Sequence, residues 1–114
     1  MNQLKLITVA IALLASSAAS AISTFEGNIT ELLVGPNYGS LLYIQVDKTN
    51  GTLTNEVQNC ANPNWDYLID TSTTSGNLYS SMILAAHMAG KSVYIEGYDD
   101  CSGNVERVRT FVIQ

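Results

Sequence analysis

Basic residues are scarce: five Lys and Arg stand against ten Asp and Glu, a formal net charge of −5 at neutral pH. A chain this acidic is repelled by phosphate backbones and by anionic lipid surfaces, which argues against a nucleic-acid partner. Histidine occurs once, at His87, and cysteine twice, at Cys60 and Cys101. With no C-x-x-C pair and no histidine at ligand spacing, a zinc site lacks its donors, and neither a metal nor another cofactor is expected. Long apolar runs are missing as well. The uncharged stretch from Leu6 to Ala15 is well short of the ~20 residues needed to cross a bilayer, and no later segment is longer, so no membrane span is expected.

What the N-terminus does contain is one lysine, Lys5, then that apolar stretch, then small residues ending in Ala19-Ser20-Ala21. This is the layout of a signal peptide over residues 1–21 with a cleavage site after Ala21. The expected destination is secreted or periplasmic. Residues 22–114 are then too few for two cores and are read as a single domain. In an oxidising compartment the two cysteines suggest one bridge, Cys60 to Cys101. It would close a loop of about forty residues, worth about 4 kcal/mol in the chain-entropy model.

Alternation and turn residues divide the rest of the chain. Thr24 to Val34 reads as strand one, stopped by Gly35-Pro36-Asn37. Leu41 to Asp47 alternates Leu42, Ile44 and Val46 against Tyr43 and Gln45, as a second strand does, and Asn50-Gly51 is a turn able to take positive φ. Thr52 to Asn64 is polar and reads as a short strand or loop. Trp65 to Thr71 is strand three, with Trp65, Tyr67 and Ile69 on one face. From Thr74 to Ala89 the period becomes helical, with Leu78, Met82, Ala85, Ala86 and Ala89 on the core side, Ser75 able to cap the start and Gly90 placed to end it. Ser92 to Tyr98 is strand four, Asp99 to Asn104 a turn, and Val105 to Ile113 strand five. Five strands with one helix between the third and fourth, β-β-β-α-β-β, is the element order of a five-stranded OB-fold barrel.

Catalytic chemistry finds little material. His87 lies on the helix away from the expected core stripe, without a neighbouring acid to orient it or a nucleophile to serve, so no enzyme activity is expected. Asp99-Asp100 with Ser102, Asn104 and Glu106 offers oxygen ligands for calcium, but misses the EF-hand register and has the composition of an ordinary hairpin turn. Asn28-Ile29-Thr30 and Asn50-Gly51-Thr52 match the glycosylation sequon, for which chance is a sufficient explanation.

Aromatics carry the stronger signal. Tyr94 and Tyr98 share a face of strand four opposite Val93 and Ile95, and Tyr43 stands likewise in strand two. Outward tyrosines, with Trp65, can stack on a sugar or meet a protein surface; tyrosine also paves sheets through β propensity alone. The helix adds Ile83, Leu84 and Met88 outside its core stripe, where charges would be usual, which suggests contact with another subunit.

Cys60, Trp65, the helix from Tyr79 to Ala86 and the run Gly90-Lys91-Ser92-Val93-Tyr94-Ile95, with Phe25-Glu26-Gly27 upstream, resemble the secreted B subunits of subtilase cytotoxin and of typhoid and pertussis-type toxins. The resemblance covers most of residues 22–114. It implies an OB-fold protomer in a homo-oligomeric ring, often a pentamer, that binds glycans without chemistry of its own. At the position of Glu26 the glycan-binding relatives carry a serine that contacts sialic acid. A carboxylate there would repel that sugar, so sialic acid specificity is not implied. The alternative is a monomeric periplasmic or secreted structural or inhibitor domain that docks on a protein partner.

Overall fold

The computed structural model describes residues 22–55, 60 and 62–114. The expected signal peptide, its cleavage site and part of the loop after Asn55 lie outside them. The described chain is mainly β with one helix: β1 (Thr24–Gly27), β2 (Ile29–Leu33), a 3-10 turn at Pro36–Tyr38, β3 (Leu41–Val46), β4 (Thr52–Thr54), β5 (Tyr67–Asp70), α1 (Thr74–Met88), β6 (Val93–Ser102) and β7 (Val105–Ile113). The strands form one sheet in the order β2-β3-β5-β7-β6-β1-β4. Neighbours are antiparallel except β5 and β7, which run parallel.

This corrects the expected five-stranded closed barrel in two respects: seven strands are present among the described residues, and the sheet is open, ending at β2 and β4. The first difference has a local cause. The stretch expected as strand one breaks after Gly27, whose φ of 149° is closed to other residues and whose missing Cβ leaves room for the Phe25 ring and the Gly51 backbone. Residues on either side of the break take different partners: β1 pairs with β6 and β4, and β2 pairs with β3. The polar stretch after the Asn50-Gly51 turn contributes β4. Farther on, the expected turn at Asp99–Asn104 is mostly strand. The β6–β7 ladder runs on through Cys101↔Glu106 and Ser102↔Val105, with irregularities on both sides of Gly97 and Asp99 at φ 64°.

The apolar parity of β3 is as read: Leu42, Ile44 and Val46 are buried and Tyr43 and Gln45 face outward. Phe25, Ile44, Tyr67, Val93 and Ile95 are almost wholly enclosed, and each such side chain contributes about 1.5–3 kcal/mol of burial. The helix closes this core with Gly76, Ile83 and Ala86, while Tyr79 and Met82 pack at its margin. That phase differs from the expected one. Leu78 is 60% exposed, Ala85 and Ala89 face outward, and Ile83, expected at a subunit contact, is wholly buried. Apolar residues lie all round α1, so hydrophobicity alone fixes its rotation poorly; the close approach of Gly76 to the Asp70 carbonyl fixes it better. The helix is capped by Thr73, whose Oγ1 accepts from the Gly76 amide at 2.9 Å, rather than by Ser75. At the other end Gly90 takes φ 64° and Lys91 donates its amide to Ala86 O, a left-handed termination.

Candidate binding face

Cys60 and Cys101 are bridged, with Cα atoms 5.4 Å apart, which fits an oxidising compartment. The bridge joins the segment leading to Trp65 with the outer part of β6. Across the outside of β2, β3, β5 and β7, register sets Leu33, Tyr43, Leu68 and Arg107 in one row, with Glu31 and Gln45 beside it on one flank and Leu41 and Asp70 on the other. Leu68 is 2% exposed although it points outward, so side chains on this face close over it.

Three rings gather on one side of that row. Tyr43 meets Tyr38 edge-on, with centroids 5.5 Å apart at 70°, and meets Trp65 at 6.1 Å and 57°. Each ring is delivered by a different element. Tyr38 ends the 3-10 turn started by Pro36, with its amide donating to Gly35 O. Tyr43 is fixed by the alternation of β3. Trp65 belongs to a turn in which Asn62 Oδ1 accepts from the amides of Asn64 and Trp65, so the chain is not extended there and Trp65 leaves the parity of Tyr67 and Ile69. The expectation that all three share one face is thus corrected: Tyr67 and Ile69 enter the core and Trp65 turns out to Tyr43.

On the other side of Leu68, the Arg107 guanidinium lies 4.8 Å over the Tyr98 ring and donates from Nε and Nη2 to both oxygens of Asp100, at 2.9 and 2.7 Å. That fork holds the Asp100 carboxyl below the usual carboxylate range. A cleft of about 230 Å³ opens here, lined by Leu68, Asp70, Thr73, Tyr79, Tyr98 and Arg107. The Asp70 carboxyl is held below the usual carboxylate range, because it accepts from the Ser72 hydroxyl, the Ser72 amide and the Ser40 hydroxyl. Below the face Glu106 is 3% exposed, and burial pushes its carboxyl up, partly offset by the Asp99 amide and the Ser23 hydroxyl. Ser23 Oγ also shares a 2.8 Å hydrogen bond with the buried Tyr67 hydroxyl.

Of the four aromatics singled out from sequence, Tyr43, Trp65 and Tyr98 therefore occupy one face, and Tyr94 does not. Tyr94 stands between Glu26 on β1 and Val112 on β7, where partial burial and the charges of Glu96 and Glu26 make its hydroxyl harder to ionise. The irregular register at Gly97 separates it from Tyr98. Tyr38, Leu68 and Arg107 were missed by the sequence reading. Tyr38 sits two residues after the Pro36 turn signal, and Arg107 alternates with the buried Glu106 and Val108, so both had a weak local signal.

His87 has a structural task. Its Nδ1 lies 3.2 Å from Ile29 O, and because a carbonyl can only accept, that nitrogen carries the proton. It thereby ties α1 to β2 at one end of the sheet. Asp99, Asp100 and Glu106 diverge: Asp100 is taken by Arg107, and Glu106 accepts the Asp99 amide. Among the described residues no group of three potential metal ligands is assembled, and no helix is long and apolar enough to cross a membrane. Comparison with protein-family models, with curated proteins and with solved structures finds no match to this chain.

Proposed function

We propose that this chain is an exported, non-catalytic binding subunit that presents the outer face of β3, β5 and β7 to a glycan or a protein surface. The single observation that carries the reading is the Tyr38–Tyr43–Trp65 cluster, three rings brought from three separate elements to one partly exposed region. Rings of this kind combine a large apolar area with a polar edge and lose little side-chain freedom on binding. The disulfide supports export. Counting β1 and β2 as one strand bent at Asn28, flanked by β3 on one side and β6 on the other, supports an OB-type arrangement with β4 as an addition.

The resemblance to toxin B subunits favours a homo-oligomer, in that family often a pentamer, and of the helix residues expected at the subunit contact Leu84 and Met88 are 51% and 78% exposed. Burial of Ile83 shrinks that contact and favours the second reading, a monomeric secreted domain docking on a protein. Light scattering separates the two: a strictly monomeric protein at micromolar concentration removes the ring. Glycan arrays and a protein-interaction screen test the binding face. Trp65→Ala should abolish the signals that Tyr94→Ala leaves intact, and signals indifferent to Trp65 would overturn the reading.

A further inference from the structure

The parallel pairing of β5 with β7 is short. It runs through Tyr67↔Glu106 and Leu68↔Arg107, after which β5 ends at Asp70 and the chain turns into α1. The cleft of about 230 Å³ opens there, between the start of the helix and the Tyr98 ring, over an apolar floor of Leu68, Ile69 and Val108. At about 30 Å³ per water it has room for about seven waters, the space of one sugar ring and not of a longer chain.

Polar groups around that floor are left with unused bonding capacity. All three donors to Asp70 bind Oδ1, so Oδ2, which can only accept, has no partner among the described residues. Arg107 uses Nε and Nη2 on Asp100, and its Nη1, which can only donate, has no partner among them either. An acceptor-only group and a donor-only group on one cleft suit a ligand whose polar groups do both, as adjacent hydroxyls do. The guanidinium covers one face of Tyr98, yet that residue remains 50% exposed, which leaves ring surface for the C–H face of a pyranose.

Charge selects a neutral ligand. Arg109, exposed on β7 beside the cleft, has no carboxylate partner among the described residues, and its carbonyl accepts from the Tyr79 hydroxyl at 3.3 Å. The exposed charges here are therefore two carboxylates, Asp70 and Asp100, against two guanidiniums, Arg107 and Arg109. An anion drawn to Arg109 meets Asp70. An ammonium drawn to Asp70 meets Arg107, which already occupies the Tyr98 face that a cation would use.

Resting on the binding-subunit reading, we propose that this cleft is a sugar subsite that takes one uncharged hexopyranose unit, its adjacent hydroxyls on Asp70 Oδ2 and Arg107 Nη1 and its C–H face on Tyr98. The probes are free glucose, galactose and mannose, titrated to about 50 mM into the isotope-labelled disulfide-bonded protein and followed by NMR, since a single ring on so small a cleft binds in the millimolar range. Glucosamine, at mildly acidic pH where it carries an ammonium, and N-acetylneuraminic acid are the charged comparators. At least one hexose should shift the Arg107 side-chain N–H, the Tyr98 ring and the Asp70 carboxylate, and should bind more tightly than either charged sugar. Asp70→Asn should weaken that binding by about tenfold, and Tyr94→Ala should leave it unchanged. Should the Asp70 variant lose its fold, Tyr98→Ala, at a half-exposed position, should weaken binding by about fivefold. No shift at the cleft with any of the three hexoses overturns the proposal, as does tighter, Asp70-dependent binding of glucosamine. Hexose shifts confined to Tyr38, Tyr43 and Trp65 would move the sugar to the ring cluster: the cleft assignment falls and the binding-subunit reading stands. Silence here together with silent glycan arrays and a silent protein screen counts against both.

Discussion

Tyr43 and Tyr94 are alike in sequence: each stands outward in a strand between two buried aliphatic residues, Leu42 and Ile44 for one, Val93 and Ile95 for the other. Their surroundings differ completely. Tyr43 is met by rings from the Pro36 turn and the Asn62 turn, while Tyr94 is met by Glu26 and Val112 on its neighbouring strands. An outward tyrosine becomes part of a binding surface only where loops return other rings to it, and strand alternation carries no information about that return.

The largest test of the contrast is removal of the tether. Cys60 and Cys101 are 41 residues apart in sequence, and opening that loop should cost about 4 kcal/mol. The bridge serves the ring-bearing side, because it joins the approach to Trp65 to the outer part of β6. In Cys60→Ser with Cys101→Ser, melting temperature should drop, and amide exchange should accelerate first around residues 62–66 and 98–104, with Val93–Glu96 holding longest. Uniform acceleration would mean that the two faces share one cooperative unit.

Gly97 divides the faces, and a second experiment acts there. It is buried against the Glu106 carboxyl, and a Cβ would collide with that group. Gly97→Ala should therefore destabilise the fold by about 1–3 kcal/mol, read by chemical denaturation. It should also disturb Tyr98 more than Tyr94 in side-chain NMR spectra, since the register shift begins at this residue.

Glu106 itself gives a pH signature. Burial makes its folded-state carboxyl hold the proton more tightly than the unfolded chain does, so the associated stability is complete below the ordinary value of 4.5 and is lost as pH rises through the raised folded value. Glu106→Gln keeps an oxygen for the Asp99 amide and should remove that decline, leaving the variant more stable than the parent at neutral pH. Asp70 and Asp100, with depressed values, supply the opposite limb, lost in acid, and that limb should persist in the variant. A parallel pair of stability curves would contradict the assignment.

Much of this architecture was readable from residue order. The parity of β3, the helix, its glycine termination and the cysteine pairing followed from alternation, spacing and count, all local properties. The break at Gly27 was not readable, because it depends on Phe25 closing over Gly51 from a distant turn. The phase of α1 was hidden by leucine and alanine on every side, and the length of β6 by an Asp-Asp-Cys-Ser-Gly-Asn composition that suits a turn equally well. At the candidate site Tyr43 and Trp65 were legible as residues, but their meeting was not. Trp65 reaches Tyr43 only because Asn62 caps two amides and bends the chain out of strand geometry.

The smallest expected effect concerns Arg107. Its pairing with Asp100 is exposed, with side chains 48% and 51% accessible, and such pairs contribute about 0–1 kcal/mol; the stacking on Tyr98 adds about as much again at an exposed position. Arg107→Ala should thus lower stability by no more than about 2 kcal/mol, measured by denaturant midpoint. It should nevertheless free the Tyr98 ring and raise the Asp100 carboxyl toward its ordinary range, visible in a carboxylate titration by NMR. Arg107→Lys separates the two contributions: it keeps the charge and gives up the planar fork, so it should retain the Asp100 shift in part and lose the ordered Tyr98 ring. If the lysine variant kept Tyr98 as ordered as the parent does, packing by the strand, and not the guanidinium, would be what holds that ring beside Leu68.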